Sequence, residues 1–287
     1  YFFIVIIIQK YIIQKTGKPV VSYLADDNYT YKSVSKNPLA LIHRFILRRY
    51  IKFIVDNSYQ LMVIAPKQKE EYDNLFGTDS VIMTKGIDFS QIPFEEKPLN
   101  TPIKMVYTGK LIIGRWISLA KIAEALETIN KDEIKLELDI YTTDTLTDEQ
   151  RIALNRNGCA VKGALKLDEV QKVQKEADVL VFVESLEDKF KFTARLSFST
   201  KITDYLSSGK CIFAVGHKET APMQYFINNE AAVIAENDKE IEEKLTMLVN
   251  NPELLVKYAE NARNIGIKNH NEEKISNVFD NVIKSVL

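Results

Sequence analysis

From residue 103 onward, short β-branched and aromatic runs alternate with segments of helical period, and this alternation constrains the fold more than any other feature. The runs fall at 103–108, 135–142, 159–162, 178–183, 210–215 and 231–235. In the first intervening segment Leu119, Ile122, Leu126 and Ile129 recur at steps of three and four, which puts them on one helix face. Thr147 reads as the N-cap of a later helix that exits at 155–158. Strands and helices alternating at this spacing pair in parallel through right-handed crossovers, which predicts an open, doubly wound α/β sheet.

Residues 1–98 repeat the theme more sparsely. Strands are predicted at 20–25, 60–65 and 81–85, with helices at about 38–58 and 67–76. Three prolines within 93–102 read as a linker. A length of 287 residues is more than one core usually fills. The expected division is a partial first lobe, 1–98, and a second lobe, 99–287. Three amphipathic helices close the chain, the last expected to pack back on the first lobe. The apolar run at 1–8 is far short of the roughly 20 residues of a membrane span and lacks the flanks of a signal peptide. A buried helix or strand is expected there.

Net charge −1, with 46% hydrophobic and 27% charged residues, fits a globular protein and argues against a nucleic-acid partner. Cys159 and Cys211 have no framework spacing and read as buried thiols of a reducing, cytoplasmic protein. His43, His217 and His270 are scattered and form no metal or catalytic set, so no metal is expected. Trp116 reads as packing.

Two strand exits carry candidate chemistry. The first is "YTGKLIIGRW", 107–116, where Gly109 permits close approach to the backbone, and Lys110 and Arg115 bring two cations to a helix start. Point charge, a forked donor and a helix terminus together suit a diphosphate. Two ordinary cations on a solvated loop is the plainer alternative. The second is "SFSTKITDYLSSGK", 197–210, where Ser199, Thr200 and Lys201 open a short helix and Asp204 lies one turn inside it. An ionised Asp204 can accept two hydrogen bonds from neighbouring sugar hydroxyls. A well-capped helix with a favourably placed acid is the alternative.

These stretches, with "ADVLVFVES" at 177–185 and "MTKGID" at 83–88, resemble glycosyltransferases of the GT-B fold, in the large nucleotide-sugar-dependent group 1 (family 4-like) class. The resemblance covers 103–287 well and 60–90 weakly. It implies two Rossmann-like lobes, a nucleoside-diphosphate sugar donor and a carbohydrate or lipid-linked acceptor, in cell-surface polysaccharide or glycoconjugate synthesis, with no metal or other cofactor. By resemblance, Lys110 and Arg115 hold the donor diphosphate, with Ser199, Thr200 and Lys201 alongside it. Asp204 holds the ribose, and the turn around Lys162 and Gly163 receives the nucleobase through its backbone.

The chain also departs from that pattern. Many retaining members carry a second Glu eight residues before the ribose acid, where this chain has Leu196. Glu184 is the nearest substitute. Nothing in 1–18 resembles the opening strand and Gly-rich turn of such a lobe, so the first lobe is expected to be truncated, lacking on the order of 90 residues. Asp26 and Asp27 follow a predicted strand, where Asp27 is either a base for an acceptor hydroxyl or a turn former. Arg44, Arg48 and Lys52 form a stripe at steps of four, which leaves open a solvated face or peripheral contact with an anionic membrane. The rival readings are a non-catalytic nucleotide- or carbohydrate-binding partner subunit and a nucleotide-sugar epimerase of the same fold.

Overall fold

The computed structural model describes residues 2–30, 37–94 and 97–287. The first lobe runs α1 (Phe2–Thr16), β1 (Val21–Leu24), α2 (Pro38–Asp56), β2 (Gln60–Val63), α3 (Pro66–Phe76) and β3 (Val81–Ile82). Its strands form one parallel sheet in the order β1-β2-β3. Leu24, Leu61 and Val63 pack beneath Leu47, Ile51 and Ile54 of α2 and Tyr72 of α3.

The second lobe alternates as the sequence predicts: β4 (Ile103–Thr108), α4 (Arg115–Ile129), β5 (Leu136–Tyr141), α5 (Asp148–Leu154), β6 (Cys159–Gly163), α6 (Leu167–Glu176) and β7 (Val179–Val183). There follow α7 (Asp188–Ala194), α8 (Lys201–Ser207), β8 (Cys211–Val215), α9 (Ala221–Asn228) and β9 (Val233–Ala235). Three helices close the chain: α10 (Asp238–Asn250), α11 (Glu253–His270) and α12 (Glu272–Lys284). All six strands are parallel, in the order β6-β5-β4-β7-β8-β9.

Both faces of this sheet are covered, which is why its strands are apolar at consecutive positions. Val179, Val181 and Val183 join the core built with Leu119, Ile122 and Leu126 of α4 and Leu245 of α10. Leu180 and Phe182 face the opposite core, with Ile202 of α8 and Phe226 of α9. Thr147 caps α5 in a reciprocal capping box with Gln150.

The lobes share packing. Leu196, from the second lobe, is fully buried in the first-lobe cluster, while Ile64 and Ala65 join the second lobe's core. Ile87 pairs with Asn271, and Tyr59 Oη donates to the Ser285 carbonyl at 2.7 Å, which fixes α12 against the first lobe.

The apolar opening is a helix but not a buried one. Ile6 is 2% exposed, whereas Ile4, Val5, Ile8 and Tyr11 are exposed. Only one face of α1 meets α2. The cationic stripe on α2 is not free either: Arg48 Nε donates to the Tyr29 carbonyl at 2.6 Å, Arg44 Nη2 reaches the Thr30 carbonyl at 3.5 Å, and Lys52 pairs with Asp56 at 2.9 Å. No described helix is long and apolar enough to cross a membrane.

Buried Asn130 stitches α4 to β5. Its Oδ1 accepts from the Lys135 and Leu136 amides at 2.9 and 3.1 Å, and its Nδ2 donates to the Leu136 carbonyl at 2.8 Å. Asn130→Ala leaves these groups without partners, and chemical denaturation should show a loss of about 2–3 kcal/mol.

Candidate functional site

The strand order places the topological switch between β4 and β7, where the crossovers leave to opposite sides and open α/β sheets bind ligands. At the exit of β4 the Gly109 amide donates to the Tyr141 carbonyl at 2.9 Å. The following loop is held from two sides. Tyr107 Oη donates to the Lys110 carbonyl at 2.7 Å, and the Leu111 amide donates to Asp144 Oδ2 at 2.6 Å. Ile113 takes φ 57, a strained value for a β-branched residue, one position before the glycine that precedes α4.

The second strand exit reaches the first through Lys201. Its Nζ donates to the Thr108 carbonyl at 2.8 Å and lies over the Tyr107 ring, 5.4 Å from the centroid. A Cβ at Gly109 would stand 2.0 Å from that Nζ, so the absence of a side chain gives the amine its place. Burial lowers the Lys201 pKa to about 8, and the neighbouring Arg115 charge pushes the same way against the opposing pull of Glu184.

Beside these groups opens a cavity of about 870 Å³. Thr108, Gly109, Lys110, Lys201, Asp204 and Ser208 line one side, and Tyr141, Leu165, Leu167 and Val170 line another. Lys85, Ile87, Gln91 and Pro93 close it from the first lobe and linker. Among the described lining residues are six lysines (85, 97, 110, 175, 201 and 210) and one carboxylate, Asp204. That ratio suits an anionic ligand that also carries hydroxyls for Asp204 to hold.

Of the predicted site residues, Gly109, Lys110, Lys201 and Asp204 therefore meet in one space. Ser199 sits just outside, lining a small recess with Arg115 and Lys201, while Thr200 is exposed at the start of α8.

Arg115 does not face the cavity. Its guanidinium makes three contacts of 2.9–3.2 Å with the carboxylate of Glu184, which is 3% exposed. Burial opposes the Arg115 charge, but Glu184 more than restores it and raises the pKa. The same geometry engages both oxygens of Glu184, the expected catalytic substitute, with Arg115.

Asp27 is likewise occupied. It accepts from the Tyr29 and Thr30 amides at 3.2 and 2.8 Å, from the Thr30 hydroxyl, and from buried Tyr72 Oη at 2.9 Å. It organises the turn after β1. Lys162 pairs with Asp139 at 3.3 Å, and the Gly163 carbonyl accepts from the Thr142 amide at 2.9 Å. Leu165 and Leu167 form the cavity wall instead. No group of three or more His, Cys, Asp or Glu among the described residues could hold a metal ion.

Three contributors went unrecognised in the sequence. Lys85 lies within "MTKGID" and forms an ion pair with Asp204. Asp144 clamps the loop after β4, although "TTDT" has no feature to set it apart from an ordinary turn. Ser118 Oγ donates to the Glu184 carbonyl at 2.8 Å and accepts from the Leu186 amide at 3.1 Å. A serine on the buried face of α4, between Leu119 and Arg115, was the available signal.

No family model matches this sequence, and no curated protein is similar to it. Solved structures are similar in fold. TarM from S. aureus, in a mutant form complexed with fondaparinux, α-GlcNAc-glycerol and UDP, is 16% identical with a TM-score of 0.66, over 92% of this chain and 50% of its own. WaaG, a glycosyltransferase involved in lipopolysaccharide biosynthesis, is 14% identical with a TM-score of 0.56, over 90% of this chain and 76% of its own. HepE from Anabaena, complexed with UDP and glucose, is 11% identical with a TM-score of 0.71, over 98% of this chain and 75% of its own. The chain has the GT-B fold, and it spans about half the length of the TarM structure it matches.

Because the Lys201 pKa is lowered in the folded protein, the unfolded chain binds the extra proton between about pH 8 and the ordinary lysine value of 10.5. The penalty is fully present below pH 8 and fades as pH rises through that window. In thermal melts, the stability of Lys201→Met relative to the wild-type protein should fall as pH rises from 7 to 10, and a flat difference would contradict the shift.

Proposed function

We propose that this protein is a glycosyltransferase that moves a sugar from a nucleoside-diphosphate sugar to an acceptor hydroxyl, in the synthesis of a cell-surface polysaccharide or glycoconjugate. One observation carries this reading. Lys110 and Lys201, delivered by two strand exits across the switch point, meet Asp204 in a single lysine-rich cavity. In this reading the lysines neutralise the diphosphate, and their charge stabilises the departing nucleoside diphosphate as well as the bound donor. Asp204 accepts from the ribose hydroxyls after exchanging its Lys85 partner, and the apolar wall of Leu165, Leu167 and Val170 receives the base. Arg115, clamped by Glu184, acts from behind by fixing the start of α4 and by its field at Lys201. The lysines supply the positive charge that a metal supplies elsewhere, so the reading requires no cofactor.

The acceptor approaches from the first lobe. Contact with an anionic membrane on that side would rest on exposed Leu39, Ile42 and Phe45 of α2 rather than on Arg44, Arg48 and Lys52, which bond within the chain. A second reading, a partner subunit that binds nucleotide without turnover, draws support from the occupied state of Glu184 and Asp27. Acceptor-dependent release of free nucleoside diphosphate separates the two.

A thermal-shift panel of UDP, GDP, dTDP and CDP tests the donor site. A nucleotide at a hundred times its dissociation constant should add about 2.7 kcal/mol of stability. Asp204→Asn should weaken the responding nucleotide about tenfold while leaving inorganic pyrophosphate binding within twofold, and silence from all four nucleotides refutes the reading.

A further inference from the structure

Lys85 reaches the cavity from the first lobe, three residues after β3, and the chain on either side of it is fastened to the junction of α11 and α12. The Ile87 amide donates to the His270 carbonyl at 2.8 Å, and the Glu272 amide donates to the Ile87 carbonyl at 3.0 Å. Gly86 lies so close to this junction that a Cβ on it would stand 2.8 Å from the Glu272 Cα. Thr84 Oγ1 is 3.4 Å from His270 Nδ1, and the Lys85 backbone hydrogen-bonds the same ring.

Asp204 is held to the same group from the other side. Thr203, the residue before it, has its Oγ1 3.4 Å from His270 Nδ1. Farther along α8, a Cβ on Gly266 of α11 would stand 3.2 Å from the Leu206 Cβ, so the two helices are in close contact. His270 and its helix thus set the spacing of the two backbones from which Lys85 and Asp204 project. The ion pair between Lys85 Nζ and Asp204 Oδ1 forms within that frame without ordering either segment anew. Both residues line the cavity, and Asp204 is the one carboxylate among its described lining residues. A ribose that takes both oxygens of Asp204 therefore displaces Lys85. The two side chains are 42% and 43% exposed, so the displaced ammonium returns to water and the contest is a mild one.

We propose that the Lys85–Asp204 pair is an autoinhibitory latch, in which Lys85 competes with ribose hydroxyls for the carboxylate and limits the hold of the site on spent nucleoside diphosphate. This inference rests on the donor reading above. The competition weakens donor and product alike. Binding that is equal in the ground state and the transition state adds nothing to the rate at saturating donor, whereas slow departure of product limits turnover in many enzymes. A ligand without ribose hydroxyls stands outside the contest, because Lys110 and Lys201 meet its phosphates with the latch closed.

Isothermal titration of the wild-type protein, Lys85→Met, Asp204→Asn and the double variant tests the latch. The ligands are UDP, GDP, dTDP and CDP, and, for whichever binds most tightly, the dideoxynucleoside diphosphate that lacks both ribose hydroxyls. Lys85→Met should bind the ordinary diphosphate about threefold more tightly than the wild-type protein. It should bind the dideoxy analogue as the wild-type protein does. In the Asp204→Asn background, adding Lys85→Met should leave both affinities unchanged. Weaker binding of both ligands by Lys85→Met would overturn the proposal and make Lys85 one of the phosphate cations. Unchanged binding of both, or the same gain in the Asp204→Asn background, would overturn it as well. In each of those cases the donor reading stands if the wild-type protein binds a nucleoside diphosphate, and if it binds none of the four, the donor reading fails first.

Discussion

The amine of Lys201 sits where a side chain on Gly109 would otherwise be, donating to the carbonyl that ends β4. The site depends on this contact. It joins two segments more than ninety positions apart and sets Asp204, one helical turn on, at the edge of the same cavity. Its geometry is supported from behind. Arg115 and Glu184 neutralise each other in a buried, bidentate pair, so the site gains a rigid wall without gaining a free guanidinium there. Breaking one partner of such a pair costs far more than the pair contributes, because a buried charge is left alone. That asymmetry holds the start of α4 in one place.

The joint between the lobes completes the cavity. Arg263 Nη1 donates to the Ser207 carbonyl at 3.0 Å and its Nη2 to the Ile92 carbonyl, which holds the linker against the end of α8. Buried His270 lies 2.8 Å from Tyr225 Oη and 3.4 Å from the hydroxyls of Thr84 and Thr203. Burial lowers its pKa to about 4, against a backbone hydrogen bond at Lys85, so it is a neutral linking group through the ordinary pH range. Lys85 and Asp204 stand next to this network on either side of the joint. The carboxylate assigned to the ribose is thereby already in electrostatic contact with the first lobe.

The second lobe was legible in the sequence because two physical periods coincide there. The β-branched runs mark buried parallel strands, and the three-and-four spacing of Leu119, Ile122 and Leu126 marks the helix that covers them. The exits of β4 and of the loop before α8 were legible as well, since glycine, lysine and hydroxyl residues clustered after apolar strands have few purely structural uses. Charge pairing was not legible. Arg115 and Glu184 are 69 positions apart, and nothing in either neighbourhood tells which buried carboxylate will neutralise which cation. The charge partners of Lys162 and Asp27 were equally illegible. Each lies at a predicted strand end, where Asp27 serves the turn that was the alternative reading and Lys162 pairs with Asp139 of the neighbouring strand. Leu196 shows the converse. At the position where the resemblance led one to expect a glutamate, it is fully buried among the apolar side chains of the first lobe.

The central claim is that two strand exits act as one anion site, and amide hydrogen exchange reads both at once. On addition of UDP, GDP, dTDP or CDP in turn, at least one nucleotide should slow exchange across 109–111 and 201–205 together. Protection of one segment alone, or of neither with all four nucleotides, would contradict the account.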